Sequence, residues 1–168
     1  MKLAEVLTEF GVAGGVVGLR PLGSLADAVA GLGPPGRGGP LFDGKAWPQW
    51  FMFGDATIEV CGCELINAVS MRTWYEEVRV PGVRPGELHI LPAAVGFGEL
   101  ERALAGVGVG WRRIRESEDA FAMEVEPAGR PELTVVFTFT TDEGEPQGLL
   151  YSVHAREHVH ACPSGTSA

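Results

Sequence analysis

Lysine is nearly missing from this chain. Lys2 and Lys45 stand beside 11 arginines, and these 13 cationic residues are outnumbered by 22 acidic ones. The formal net charge is −9. Nucleic acid and anionic membrane surfaces both call for clustered positive charge, so neither is expected as a direct partner. A basic partner is favoured instead, because opposite net charges speed encounter. Cysteine is also scarce. Cys61, Cys63 and Cys162 are an odd count in a chain with no signal-like start, which reads as free thiols in a reducing compartment. No apolar run is long enough to span a bilayer. Residues 1–10 carry Glu5 and Glu9 and lack the apolar core of a leader. The expected location is the cytoplasm.

Motifs that name a reaction are missing too. Gly11, Gly14, Gly15 and Gly18 superficially resemble a nucleotide loop. A dinucleotide site needs G-x-G-x-x-G between a strand and a helix, whereas these glycines follow a helical pattern and have the wrong spacing. Ser70, Ser152 and the cysteines lack a nucleophile elbow of the form G-x-S-x-G. The carboxylate pairs Glu76-Glu77 and Glu118-Asp119 read as solvated turns. No constellation meets the criteria for a catalytic site, so no enzyme is expected.

What the chain does have is a phrase stated twice. Gly23-Ser24-Leu25-Ala26-Asp27-Ala28-Val29-Ala30-Gly31-Leu32-Gly33 returns as Gly98-Glu99-Leu100-Glu101-Arg102-Ala103-Leu104-Ala105-Gly106-Val107-Gly108. Each copy reads as a short amphipathic helix stopped by glycine, with Ser24 as the N-cap of the first. Each precedes a run of strand-like segments. In the first half these are residues 50–53, 56–63 and 65–71, with 74–80 continuing the sheet. In the second they are 109–115, 120–126, 133–140 and 149–154. Another short helix is expected at 3–10, ended by Gly11, and a short strand at 16–19. Residues 34–48 read as loop, 142–147 as a polar turn, and 165–168 as frayed.

Alternation sets the faces of these strands. Leu133, Val135, Phe137 and Phe139 share one side, and Thr134, Val136, Thr138 and Thr140 the other. The expected fold class is α+β, with two similar halves, each a helix plus an antiparallel meander, and the helices packed on one face of the sheet. The halves would be 1–80 and 95–168, joined by a linker at 81–94, in one compact domain overall. The opposite sheet face would be open for docking.

The residues that could carry function fall into two groups. Trp47 and Trp50 flank Pro48 in an expected loop, where a large ring is a natural interface anchor. Asp43, Asp55 and Glu59 are the acidic residues nearby that would answer a basic partner. The second group is metal-like. His154, His158, His160 and Cys162 form H-x3-H-x-H-x-C, and Cys61 and Cys63 add C-x-C. These are zinc-ligand types, and four would close a structural site. Their spacing fits no standard finger, so no metal and no cofactor are expected.

Leu32-Gly33-Pro34-Pro35, followed by Trp50-Phe51-Met52-Phe53-Gly54-Asp55-Ala56-Thr57-Ile58-Glu59-Val60, resembles a bacterial group with an "LGPP … YGDLEL.F" pattern. The second half of that group has the form "L-x-G-V-x-W … L-x-V-x-F … G-L-x-S". Its members resemble small immunity-like proteins of actinomycete toxin and specialised-metabolite loci. The resemblance covers most of residues 15–155, with Phe53 where the group has tyrosine, and it brings no catalytic residue. The helix-then-meander order is also similar to the β-lactamase-inhibitor type of fold, which binds enzymes through an open sheet face. The use of arginine over lysine suits a GC-rich bacterial genome.

The resemblance implies a non-catalytic, protein-binding role, first as an immunity-type inhibitor of a cognate toxin. The alternatives are an accessory protein of a biosynthetic or peptide-modification locus, and a metal-binding enzyme built on the C-terminal histidines.

Overall fold

The computed structural model describes residues 1–141 and 148–162, without the side chains of Arg115 and Glu116. The expected turn at 142–147 and the frayed end at 165–168 lie outside the described residues. In chain order the elements are α1 (Leu3–Ala13), α2 (Leu25–Leu32), β1 (Arg37–Pro40), β2 (Gln49–Phe53), β3 (Ala56–Val60), β4 (Ile66–Arg72), β5 (Glu77–Pro81) and β6 (Leu88–Pro92). They continue with α3 (Phe97–Gly106), β7 (Trp111–Glu116), β8 (Ala120–Val125), β9 (Leu133–Thr140) and β10 (Leu149–Glu157). The class is α+β, as the periodicities indicate.

One eight-stranded antiparallel sheet runs in the order β1-β2-β3-β4-β10-β9-β8-β7. Two four-stranded meanders therefore meet edge to edge, at β4 and β10. At that seam Val69 lies opposite Ala155, Ser70 opposite His154, Met71 opposite Val153 and Arg72 opposite Ser152. The period of two then separates the faces. Val69, Met71, Val153, Ala155, Ile58, Met123, Val135, Phe137 and Phe139 are all essentially inaccessible. Ser70, Ser152, His154, Thr134, Val136 and Thr138, on the alternate positions, keep partial contact with water.

Helices cover the apolar face. Phe97 at the start of α3 meets Trp111, Phe121 and Phe139 edge-on at 5.3–5.5 Å between ring centroids. Leu100 and Leu104 are fully buried behind it. α1 buries Leu3, Val6, Leu7 and Phe10. It runs past Gly11, where the sequence pattern suggested a stop, and ends only at Gly14, whose φ is 72° and whose N–H donates to the Phe10 carbonyl at 2.8 Å. Gly11 serves contact and not termination. A Cβ there would sit 2.6 Å from Leu104 Cδ2 and 3.8 Å from the Phe137 ring. Its missing side chain lets α1 wedge between α3 and β9. α2 begins as the sequence indicates, with the Asp27 N–H donating to Ser24 Oγ at 3.0 Å.

Three segments differ from the sequence reading. Residues 34–48 are not all loop, because β1 pairs with β2 along Arg37–Pro40. Glycine and proline depress strand propensity, but an edge strand tolerates both. Gly38 also makes room for Phe51, since a Cβ there would lie 2.5 Å from that ring. Residues 16–19 form only a single bridge, Val16 to Leu19. Residues 77–81 do not continue the main sheet. They pair with β6 in a separate two-stranded sheet that buries Val78 and Val80. Alternation marks a strand but does not say which sheet it joins. The 81–94 segment, expected as the joint, thus holds β6. Among the described residues, no helix is long and apolar enough to cross a membrane.

The two faces of β9 should respond differently to truncation. Phe137→Ala removes a fully buried ring and should cost about 3–5 kcal/mol of stability in urea unfolding. Thr138→Ala, on the other face, should cost less than about 1 kcal/mol.

Candidate functional site

The sheet face away from α1 and α3 is assembled by alternation across neighbouring strands. Trp50 lies opposite Glu59, Met52 opposite Thr57, and Thr57 opposite Ser70. Between these strands is a hollow of about 460 Å³, lined by Leu41, Trp50, Met52, Asp55, Thr57, Glu59, Ser70, Arg72 and Tyr75. Its rim continues as an aromatic cluster. Trp74 meets Tyr151 at 4.6 Å and Tyr75 at 5.8 Å between ring centroids, both edge-on. The Arg72 guanidinium sits 4.7 Å over the Trp74 ring. Tyr75 is 60% exposed, a large ring left in water.

The sequence-derived binding residues take different roles. Trp50 lines the hollow. Trp47 is half-buried and packs against the core, its ring across from Gly62. Asp43 is exposed on the loop between β1 and β2. Asp55 borders the hollow, but its Oδ2 accepts from the Arg79 N–H at 2.7 Å, and its own N–H donates to the Arg79 carbonyl at 2.8 Å. That pair docks β5 on the β2–β3 turn. Glu59 is ion-paired with Arg156 at 3.2 Å. The signal missed in the sequence is the run Arg72, Trp74, Tyr75. It starts at Arg72, the last residue of β4, and runs on past it, and Tyr151 joins it only through the β4–β10 pairing.

The metal-type residues are also sorted by the fold. His154 lies on the open face opposite Ser70 and Val136. His158 Nε2 is hydrogen-bonded with Thr134 Oγ1 at 2.8 Å. Neither joins the cysteines. His160 and Cys162 do, across 99 residues of sequence, at the turn between β3 and β4. Cys61 Sγ is 3.5 Å from His160 Nε2, Cys162 Sγ is 3.6 Å from His160 Nε2, and Cys63 Sγ is 3.6 Å from Cys162 Sγ. All four donor atoms lie within 4.8 Å of one another. Cys61 is buried, His160 half-buried, and Cys63 and Cys162 exposed.

Both sides of this knot are locally built. The Cys61 N–H donates to the Leu65 carbonyl at 3.0 Å, and the Glu64 N–H to the Cys61 carbonyl at 2.9 Å. On the tail, buried Glu157 accepts from the Val159 and His160 N–H groups at 2.8 and 2.6 Å. That carboxylate turns the chain so that His160 faces the thiols.

No family model matches the chain, and neither the curated proteins nor the solved structures contain a significant match to it.

Burial holds the His154 pKa below its ordinary 6.5, with the Glu59 carboxylate pulling it back up and Arg156 pressing it further down. The folded state then favours the neutral ring. Stability should be undiminished above pH 6.5, fall as pH drops from there to the lowered folded value, and level off below it. A histidine NMR titration should place His154 below 6.5, and Glu59→Gln should move it lower. His154→Gln should remove its share of the acid-side loss in urea unfolding.

Proposed function

We propose that this chain is a non-catalytic protein-binding module that docks its partner on the open sheet face. The observation that carries the reading is the hollow edged by Trp50, Met52, Tyr75 and Arg72, continuous with Trp74 and Tyr151. Tryptophan, tyrosine and arginine are the residue types that dominate binding hot spots, and a concave patch lets them be fully desolvated by a partner. The net charge of −9 favours a basic protein as that partner. With the immunity-like resemblance, this points to an immunity-type inhibitor of a cognate bacterial toxin, working in the cytoplasm where its three cysteines stay out of disulfides.

The same reading includes an internal duplication. α2 precedes the meander β1–β4 as α3 precedes β7–β10, and the sheet order is symmetric about the β4–β10 seam. A duplicated frame supplies one long sheet. The divergent Arg72 to Tyr75 segment then places aromatic anchors at one end of the central β4–β10 seam.

The test is calorimetric titration of the purified chain with the toxin-like product of a neighbouring gene. We expect tight binding, weakened about 30-fold, or about 2 kcal/mol, by Trp50→Ala and by Tyr75→Ala. Thr134→Ala, farther along the same face, should leave affinity unchanged. Unaltered affinity in both aromatic variants would reject the hollow as the docking site. Binding to a precursor peptide, and not to a toxin, would replace the immunity reading with the accessory one.

A further inference from the structure

We infer that Cys61, Cys63, His160 and Cys162 form a closed structural zinc site that fastens the C-terminal tail to the β3–β4 turn. The inference goes beyond partner binding and does not depend on it.

The donor set is the first argument. Three thiols and one imidazole make a Cys3His set, one of the standard combinations for tetrahedral structural zinc. The geometry is the second. Zn–S bonds of about 2.3 Å and a Zn–N bond of about 2.0–2.1 Å at tetrahedral angles place neighbouring donors roughly 3.5–3.8 Å apart. Three of the six donor pairs here stand at 3.5, 3.6 and 3.6 Å, and all six lie within 4.8 Å, so side-chain shifts of about 1 Å would complete the tetrahedron. A disulfide needs a bond of about 2.05 Å, so the 3.6 Å between Cys63 and Cys162 is not a bridge, and it matches the spacing of two ligands on one ion.

The surroundings are the third argument. Exposed Cys63 and Cys162, 99 residues apart in sequence, have little reason to converge beside buried Cys61 unless something holds them. Here each side has its own support: the turn closed by Cys61 and Leu65 on one, and buried Glu157 gripping the Val159 and His160 amides on the other. Trp47 packs beside the turn at Gly62, the residue between Cys61 and Cys63. With four protein ligands no coordination position is left for water or substrate, so the site is structural and not catalytic. Zinc binding would displace protons from the thiols and leave a thiolate-rich site, with no redox step required.

The consequence is mechanical. The ligands lie about 100 residues apart in sequence, so one ion closes a long loop and cross-links the two meanders near the end of β10. Metal bound only by the folded chain must raise its stability.

The experiment is metal reconstitution of the full chain after reduction and chelation. We expect about one zinc per chain by elemental analysis, and a cobalt-substituted form with the visible bands of a tetrahedral thiolate site. Zinc should raise the thermal midpoint and protect residues 158–162 from proteolysis. Cys63→Ser and Cys162→Ser alter exposed side chains and should leave the fold intact. Each should weaken zinc binding at least about tenfold and blunt the thiolate-to-cobalt bands. His154→Ala and His158→Ala should leave stoichiometry and spectrum unchanged. Substoichiometric zinc, a cobalt spectrum without thiolate bands, or a Cys63–Cys162 disulfide in the reduced preparation would each overturn the assignment. So would undiminished zinc affinity in the two serine variants.

Discussion

The antiparallel seam between β4 and β10 is the contact on which the rest of the molecule depends. Each meander alone would leave a long strand edge with unpaired amides and carbonyls. Joined, they make one sheet broad enough to bury Phe137, Phe139, Met123 and Ile58 in a single core. The seam also sets the register of everything near it. Because Ser70 pairs with His154 and Arg72 with Ser152, the polar side chains of both meanders emerge on the same face. A slip of one residue would turn Val69 and Met71 outward and bring Arg72 into the core.

That division of faces explains why the candidate binding surface lies where it does. The apolar side is filled by aromatic and aliphatic residues, and Gly11 allows the closest approach of α1. The other side carries threonine, serine and paired charges at most positions, a surface that water tolerates. The exception is the strip from Trp50 to Tyr151, where large rings stay partly exposed beside arginine. Thr73 braces this strip. Its N–H donates to the Tyr151 carbonyl at 2.9 Å and its Oγ1 to the Leu150 carbonyl at 2.7 Å. The aromatic cluster is therefore mounted on hydrogen-bonded backbone, which would lower the ordering cost of the proposed docking.

Local order was legible in the sequence wherever one period dominated. The β9 alternation, the Ser24 cap and the α2 stop at Gly33 all rest on interactions within a few residues. What the sequence hid was long-range. β1 is a strand only because β2 lies beside it, and glycine and proline concealed it. β5 and β6 alternate as sheet strands do, yet pair with each other. Among the site residues, sequence proximity grouped His154 and His158 with His160, but strand pleat and hydrogen bonding send them elsewhere. Cys61 and Cys63 join His160 and Cys162 only through the fold. Trp47 and Trp50 look equivalent around Pro48, yet one is packed on the core beside Gly62 and the other faces the hollow.

These two hidden features share one logic. Near one end of the seam, Arg72 and Ser152 lead into the cluster of Trp74, Tyr75 and Tyr151. Near the other, Ala68 pairs with Arg156, and both strands run on into the turns that carry Cys61, Cys63, His160 and Cys162. The seam is a short ladder, and short ladders fray from their ends. Aromatic packing closes one end, and the proposed zinc site would close the other. On this view the tail beyond β10 is part of the device that keeps the open face in register, and its ligands act on partner binding only through that register.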